Sequence, residues 1–181
     1  VMLIGSGPEA TVHKRAIETY IVDKKPLVVA LNAQSPIHND LIDLRIACHP
    51  LRLLTDFDKL INLSKPLIAP VSSLPKNILD SEKILNILDY GLGVQNSKNL
   101  YEEKFCILSS PLVLSYSLAV ASSGKAKKLL LVGFDGYSAD DPRRMENDLI
   151  FKAHKETYFA VDLLAVTPTL YNIESTSIYA L

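Results

Sequence analysis

Gly5-Ser6-Gly7-Pro8 is the segment whose residue types most clearly suit a ligand. It follows a short apolar run, residues 1–4, and precedes a helical pattern. Glycine lets the backbone turn sharply and approach a ligand, and proline suits the start of a helix, whose free N–H groups favour an anion. The same residue types also suit a tight strand-to-helix turn that binds no ligand. The segment therefore predicts either a phosphate-binding loop or a purely structural turn.

Two common nucleotide sites do not fit this loop. A standard dinucleotide fingerprint has a third glycine and an acidic residue at the end of the second strand. Here the third glycine is absent and the second apolar run ends in Asn32. A P-loop is excluded because no Gly-Lys-Ser/Thr sequence follows. The sequence thus disfavours NAD as a ligand.

Apolar runs bounded by turn residues predict the strands that position this loop. They cover residues 1–4, 27–31, 44–48, 67–69, 105–108, 129–134 and 163–166. Their continuous apolar character indicates strands buried on both faces of a mostly parallel sheet. Helical patterns between them cover residues 8–24, 51–63, 80–88, 111–123 and 142–161. Ser110 followed by Pro111, and Asp141 followed by Pro142, are typical starts of the last two helices.

This alternation predicts a single α/β domain over residues 1–181. Right-handed strand–helix–strand units give a doubly wound, Rossmann-like sheet with helices on both faces. Ligands of such sheets bind at the carboxyl ends of the strands. We therefore expect five residues that end different strands to lie together at one edge: Gly5, Asn32, His49, Ser109 and Asp135. Arg52, just beyond the third strand, is a candidate anion contact.

The histidines and cysteines suggest no catalytic pair. Cys48 and His49 are adjacent in a strand and point to opposite faces, so they cannot easily act as nucleophile and base. His154 falls within a predicted helix and is expected on its surface. Cys48 and Cys106 form no CxxC pair and are expected to be packed thiols.

Composition excludes several classes of partner. The formal net charge is −1, so no global field would attract nucleic acid or an anionic membrane. No apolar run approaches the roughly 20 residues that span a bilayer, and no signal peptide is evident. With two cysteines among 181 residues, we expect a cytoplasmic protein.

Four short motifs resemble those of bacterial sialyltransferases of lipooligosaccharide synthesis, and of the related 6-hydroxymethylpterin pyrophosphokinase-like proteins. They are Gly5-Ser6-Gly7-Pro8, Ala30-Leu31-Asn32, Ser109-Ser110-Pro111, and residues 130–137, which end in Asp135-Gly136-Tyr137. The sialyltransferases have G-N-G-P-S, C-N, T-S-G and G-I-D-F-Y at the corresponding places. Their order and approximate spacing match across most of the chain.

The resemblance implies a site for a cytidine nucleotide or nucleotide sugar, and glycosyl or diphosphoryl transfer in surface-glycan synthesis. It places Gly5, Ser6, Gly7 and Pro8 near phosphate and Asn32 near phosphate or sugar. It places Ser109 and Ser110 near the transferred group, and Asp135 and Tyr137 near the nucleoside. Helix capping is an equally good interpretation of the two serines.

The chain departs from the sialyltransferase pattern at three points. Glu9 replaces a small polar residue and would repel a phosphate, and Pro111 replaces a glycine. The catalytic histidine that follows the last motif in those enzymes has no counterpart after Asp135. The catalytic residues are therefore unknown.

A metal site is the less favoured interpretation of the acidic residues after the sixth strand. Asp135, Asp140 and Asp141 could hold Mg²⁺ with a nucleotide diphosphate, since this ion prefers oxygen ligands. Asp141 also suits a helix N-cap, and Asp140 suits a solvated turn. We therefore assign no metal site.

The chain starts inside a predicted strand, which suggests the C-terminal part of a longer polypeptide. The domain also looks like the C-terminal module joined to aldolase barrels of the hydroxymethylglutaryl-CoA lyase and 4-hydroxy-2-oxovalerate aldolase type. It would then be a non-catalytic accessory to an N-terminal catalytic domain. A homo-oligomeric interaction module remains a third alternative, and nothing in the sequence would perform aldol cleavage.

Overall fold

Strands and helices alternate along most of the chain. A computed structural model describes residues 1–74, 76–79, 86–96 and 99–181. The strands are β1 (Met2–Ile4), β2 (Val28–Leu31), β3 (Leu44–Ile46), β4 (Leu67–Ala69), β5 (Ile87–Asp89), β6 (Gly91–Val94), β7 (Leu100–Tyr101), β8 (Phe105–Leu108), β9 (Leu129–Val132) and β10 (Leu163–Ala165). The helices are α1 (Pro8–Val12), α2 (Lys14–Lys24), α3 (Pro50–Asn62), α4 (Lys76–Leu79), α5 (Val113–Ser123) and α6 (Pro142–Lys155). Short 3-10 helices cover Asn39–Leu41, Val71–Ser73 and Ile178–Ala180.

The main sheet confirms the predicted doubly wound, Rossmann-like fold. Within the described residues it has seven parallel strands in the order β10-β9-β1-β2-β3-β4-β5. The chain runs outward from β1 to β5 and then returns to β9, on the other side of β1. The connections that leave β1 and β9 therefore diverge. Open α/β sheets bind ligands in the crevice at such a switch point.

Helices cover both faces of this sheet. On one face, Leu3 shares a core with Leu118 of α5. On the other face, Met2 packs with Ile17 of α2, and Leu53 of α3 fills a neighbouring core. Successive residues of a strand point to opposite faces, so each one meets a packed layer. This explains why the central strands are continuous apolar runs.

The predicted helices over residues 8–24 and 111–123 differ from the observed ones. The predicted helix over residues 8–24 is divided at His13 into α1 and α2. Helix α5 starts at Val113 with Leu112 as its N-cap, whereas Ser110 and Pro111 were expected there. The Ser110 hydroxyl is instead directed to Glu146, where it donates to Oε1 at 3.2 Å.

The last helix starts as expected and ends early. Asp141 is the N-cap of α6, and its carboxylate accepts a hydrogen bond from the Arg143 backbone N–H at 2.9 Å. The predicted helix extended to residue 161, whereas α6 ends at Lys155. Beyond it the Thr157 hydroxyl bonds to the Ala153 carbonyl, and Phe159 has φ +63°, which a continuing helix cannot accommodate.

One predicted strand belongs to a different sheet. Strand β8 lies between β6 and β7 in a small sheet that packs over the α5 face. Its residues alternate in burial, with Phe105 43% exposed and Cys106 buried, so only one side of the strand faces the core. The expectation that residues 105–108 lie in the main parallel sheet is therefore wrong. A short apolar run has the same sequence pattern in a strand buried on one face as in a strand buried on both faces.

The helix predicted over residues 80–88 falls partly outside the residues that the structure describes. Residues 80–85 lie outside the described part of the chain. Its last residues, Ile87 and Leu88, belong to β5, the edge strand next to β4. The expectation of helix at these two residues is therefore wrong.

Both cysteines are free and buried, as predicted. Burial raises the pKa of the Cys48 thiol and of the Cys106 thiol to about 12 each, so both stay protonated near neutral pH. Among the described helices, none combines the length and apolar character needed to cross a membrane.

His154 is buried, not on the helix surface as expected. It is 1% exposed, and its Nε2–H donates to the Val161 carbonyl at 2.9 Å. A carbonyl can only accept, so Nδ1 accepts from the Tyr101 hydroxyl, 3.0 Å away. Desolvation lowers the pKa of this imidazole from 6.5. It is therefore a neutral core residue.

The buried imidazole makes stability depend on pH. Above about pH 6.5 the ring is neutral in both states, and its full contribution to stability is present. As the pH falls, the unfolded chain binds the proton first, so stability declines by at most about 1.4 kcal/mol per pH unit until the folded-state pKa is passed. We expect the His154→Gln variant to have a shallower loss between pH 6.5 and 5 in urea denaturation. His38→Gln, at an exposed histidine, is the control, and equal slopes for wild type and His154→Gln would contradict this assignment.

Candidate functional site

A cavity of about 780 Å³ lies at the carboxyl edge of the main sheet. It spans the ends of β1, β2 and β9 and the start of α3. Nine of the eleven residues singled out in the sequence line it: Gly5, Ser6, Gly7, Pro8, Asn32, His49, Arg52, Asp135 and Tyr137. The fold therefore brings together residues that are up to 132 positions apart in the sequence.

Ser109 and Ser110 do not line the cavity. Ser109 follows β8 of the small sheet, and its backbone N–H and hydroxyl both bond to Asn99 Oδ1, at 2.9 and 3.2 Å. The prediction that Ser109 lies at the edge of the main sheet is wrong because β8 is not part of that sheet. Leu112, at the start of α5, occupies the cavity wall instead.

The glycine loop after β1 interlocks with the loop after β9. The Gly5 N–H donates to the Val132 carbonyl at 2.8 Å, and the Gly7 N–H donates to the Gly133 carbonyl at 2.9 Å. A Cβ on Gly5 would lie 2.6 Å from the Gly133 oxygen, closer than real contacts allow. Gly133 has φ +70°, a conformation that favours glycine. The two loops form one rigid floor.

Asp135 joins this floor to α1. Its Oδ2 accepts the Glu9 backbone N–H at 2.8 Å. A Cβ on Gly7 would lie 2.6 Å from Asp135 Oδ1, and this oxygen is buried without a hydrogen-bond partner in the described structure. Desolvation is the main cause that raises the pKa of the carboxyl. The Glu9 carboxylate contacts His13 instead, with Oε2 3.2 Å from Nε2.

Asn32 is held in place by a residue that the sequence analysis missed. Asn32 has φ +56°, a left-handed conformation that asparagine tolerates. Arg45 of β3 is 2% exposed and donates from Nη1 to the Asn32 carbonyl at 2.9 Å and from Nη2 to Asn39 Oδ1 at 3.0 Å. An arginine inside the apolar run 44–48 was the available signal, because buried charge needs partners.

Helix α3 forms a cationic wall of the cavity. Leu51, Arg52, Thr55, Asp56 and Lys59 all line it, at spacings that place them on one helix face. Arg52 Nη1 lies 3.9 Å from Asp56 Oδ2, a loose contact between exposed groups. Lys59 forms no ion pair with any residue that the structure describes.

The opposite wall carries aromatic and amide groups. The Arg143 guanidinium lies 4.2 Å from the centre of the Tyr137 ring, and its Nε donates to Asp141 Oδ1 at 2.9 Å. Asn147 donates to the Tyr171 hydroxyl at 2.7 Å. No sequence signal marked Arg143 or Asn147, because a helical pattern alone does not show which face meets a cavity, and none marked Tyr171, which lies in the segment after β10.

The acidic residues after β9 are committed to other partners. Asp141 caps α6 and pairs with Arg143. Asp135 holds the Glu9 N–H. The described residues contain no group of three or more His, Cys, Asp or Glu side chains placed to hold a metal ion. Mg²⁺ bound with a diphosphate stays an untested alternative.

The fold and cavity define the class of this protein as a Rossmann-like α/β domain with a pocket at its switch point. No protein-family model, no curated protein and no solved structure matches the chain. The assignment of a function therefore depends on the geometry and chemistry of the cavity itself.

The interlocked loops predict a large cost for any side chain at position 5. In Gly5→Ala the new methyl meets backbone atoms that cannot move independently, so we expect a loss of about 1–3 kcal/mol in the free energy of unfolding. Gly93→Ala is the matched control, because the nearest atom to its Cβ is Ile107 Cγ1 at 3.4 Å. Urea denaturation measures both, and equal stability of the two variants would contradict the close approach.

Proposed function

We propose that this cavity binds a nucleotide or a nucleotide sugar. The single observation that carries the proposal is a cavity at the switch point with a cationic wall on α3 and an aromatic wall at Tyr137 and Tyr171. Switch-point crevices are the usual ligand sites of doubly wound sheets. A volume of about 780 Å³ lies within the range of roughly 300–1,000 Å³ that is typical of small-molecule pockets.

The aromatic wall suits the nucleoside part. The Tyr137 ring, which already packs against the Arg143 guanidinium, is an aromatic surface on which a base would stack. Stacking on an aromatic ring contributes about 1–3 kcal/mol per base. Asn147 and Tyr171 lie on the same wall, and an amide side chain both donates and accepts hydrogen bonds, as the edge of a pyrimidine base requires.

Glycosyl or diphosphoryl transfer is the reaction implied by the sialyltransferase resemblance. The cavity offers His49 at the start of α3 as a titratable side chain near the ligand. Its partner in such a reaction is unassigned. The proposal of ligand binding stands independently of any transfer step.

One observation favours the non-catalytic alternative. Among the described residues, no Ser, Thr or Cys that lines the cavity hydrogen-bonds to a cavity-lining His, Asp or Glu; the Thr55 hydroxyl, for example, bonds to the Arg52 carbonyl. An activated nucleophile normally has such a partner. A ligand-binding module appended to an aldolase-type catalytic domain fits this arrangement.

The ligand class is testable by calorimetry. We expect cytidine mono- and diphosphate to bind at least about tenfold more tightly than NAD, a difference of roughly 1.4 kcal/mol. The reason is that the loop lacks the third glycine and that β2 ends in Asn32 instead of a ribose-binding acid. Equal or reversed affinities would contradict the proposal.

The aromatic wall gives a second test. Tyr137→Ala removes the stacking surface, and we expect nucleotide affinity to fall roughly tenfold, the lower part of the range for base stacking. Tyr158→Ala is the matched control, because Tyr158 is 79% exposed and lies outside the cavity. If both variants bind as wild type does, the base does not stack on Tyr137.

A further inference from the structure

We propose that the anion-binding subsite of this cavity lies on α3, at Arg52 and Lys59, and that Asp135 closes the glycine loop to phosphate. The inference rests on the proposed nucleotide function and adds the orientation of the nucleotide in the cavity. Its phosphates face α3 and do not contact the loop after β1. This reverses the arrangement that the glycine loop predicted from sequence.

Two of the three backbone N–H groups in Gly5-Ser6-Gly7-Pro8 are already engaged within the protein. The N–H groups of Gly5 and Gly7 donate to the carbonyls of Val132 and Gly133. The Ala10 N–H donates to the Gly7 carbonyl at 3.1 Å, and Pro8 has no N–H. A phosphate loop binds through free backbone N–H groups. In this loop the N–H groups of Gly5 and Gly7 are consumed within the protein.

Asp135 takes a further backbone donor, at the start of α1. Its Oδ2 lies 2.8 Å from the Glu9 nitrogen, at the first turn of α1. The carboxylate thus occupies the place of an anion at this helix start. A phosphate entering there would have to displace a negative group and would meet its charge.

Three cationic side chains line the cavity, and two are available to a ligand. Arg143 is committed, because Asp141 holds it and it is stacked on Tyr137. Arg52 is 66% exposed and 3.9 Å from Asp56, so a phosphate can draw it away at little cost. Lys59 has no ion-pair partner in the described structure.

The two available cations share one face of α3. Arg52 and Lys59 are seven residues apart, about two helical turns, and Asp56 lies between them. Their combined charge with Asp56 is +1, which suits one or two phosphate groups of a nucleotide. Guanidinium and ammonium groups are both established phosphate contacts.

The test measures how much affinity each phosphate adds. Calorimetry compares cytidine, cytidine diphosphate and inorganic pyrophosphate on wild type, Lys59→Met, Arg52→Met and Asp135→Asn. Lys152→Met removes an exposed lysine of α6 outside the cavity and is the control. Lys59 and Arg52 are exposed, so both variants are expected to fold.

We expect the ratio of cytidine to cytidine diphosphate dissociation constants to fall at least fivefold in Lys59→Met and in Arg52→Met, with cytidine affinity unchanged. Asp135→Asn should bind pyrophosphate at least threefold more tightly, because the loop no longer carries a negative group. Lys152→Met should behave as wild type does. An unchanged ratio in both α3 variants overturns the subsite, and unchanged pyrophosphate binding in Asp135→Asn overturns the closure of the loop.

The pyrophosphate measurement separates this inference from the proposed function. One outcome is that the wild type binds pyrophosphate more tightly than Lys59→Met does, but binds NAD as tightly as cytidine diphosphate. This outcome supports the subsite and rejects the cytidine-nucleotide proposal. Wild type that binds cytidine with no gain from its phosphates supports a nucleoside site and rejects the subsite. Absence of binding to every probe rejects both.

Discussion

The close approach of the loops after β1 and β9 is the constraint on which the rest of the site depends. Hydrogen bonds from Gly5 and Gly7 reach the end of β9 and the loop beyond it, where a side chain at Gly5 would collide with the Gly133 carbonyl. This contact is only available because β1 and β9 are neighbours in the sheet. It places Asp135 against α1 and leaves the cavity floor rigid. The walls of the cavity, on α3 and α6, supply its charged side chains Arg52, Lys59 and Arg143.

Buried polar groups support this floor from outside the cavity. The Thr167 hydroxyl accepts the Gly133 N–H at 3.0 Å, and the Leu170 N–H donates to the Asp135 carbonyl at 2.8 Å. Arg45 supports Asn32 in the same manner from β3. Arg45 and Thr167 are each 2% exposed, and an unpaired donor or acceptor at such a depth costs about 1–3 kcal/mol. Residues that do not line the cavity therefore help to shape it.

The sequence predicted the main sheet well because its strands are continuous apolar runs between turn residues. It failed at residues 105–108, where a run of four apolar residues does not show whether one or both faces are buried. Most predicted site residues line the cavity because strand ends are visible in sequence. Lys59 and Asn147 could not be predicted, since the cavity-facing side of a helix follows from its packing. The capping of α1 by Asp135 joins residues 126 positions apart, which no local pattern reveals.

The floor of the cavity joins the beginning of the chain to its last strand. Residues near positions 5, 133 and 167 must meet before it exists, and closing such long loops is what makes topologies of high contact order slow to form. During synthesis on the ribosome, the N-terminal strands emerge long before their partners. The cavity floor cannot form before β9 is present, and a truncated chain that keeps β1 to β5 would lack the carbonyls of Val132 and Gly133 that hold the glycine loop.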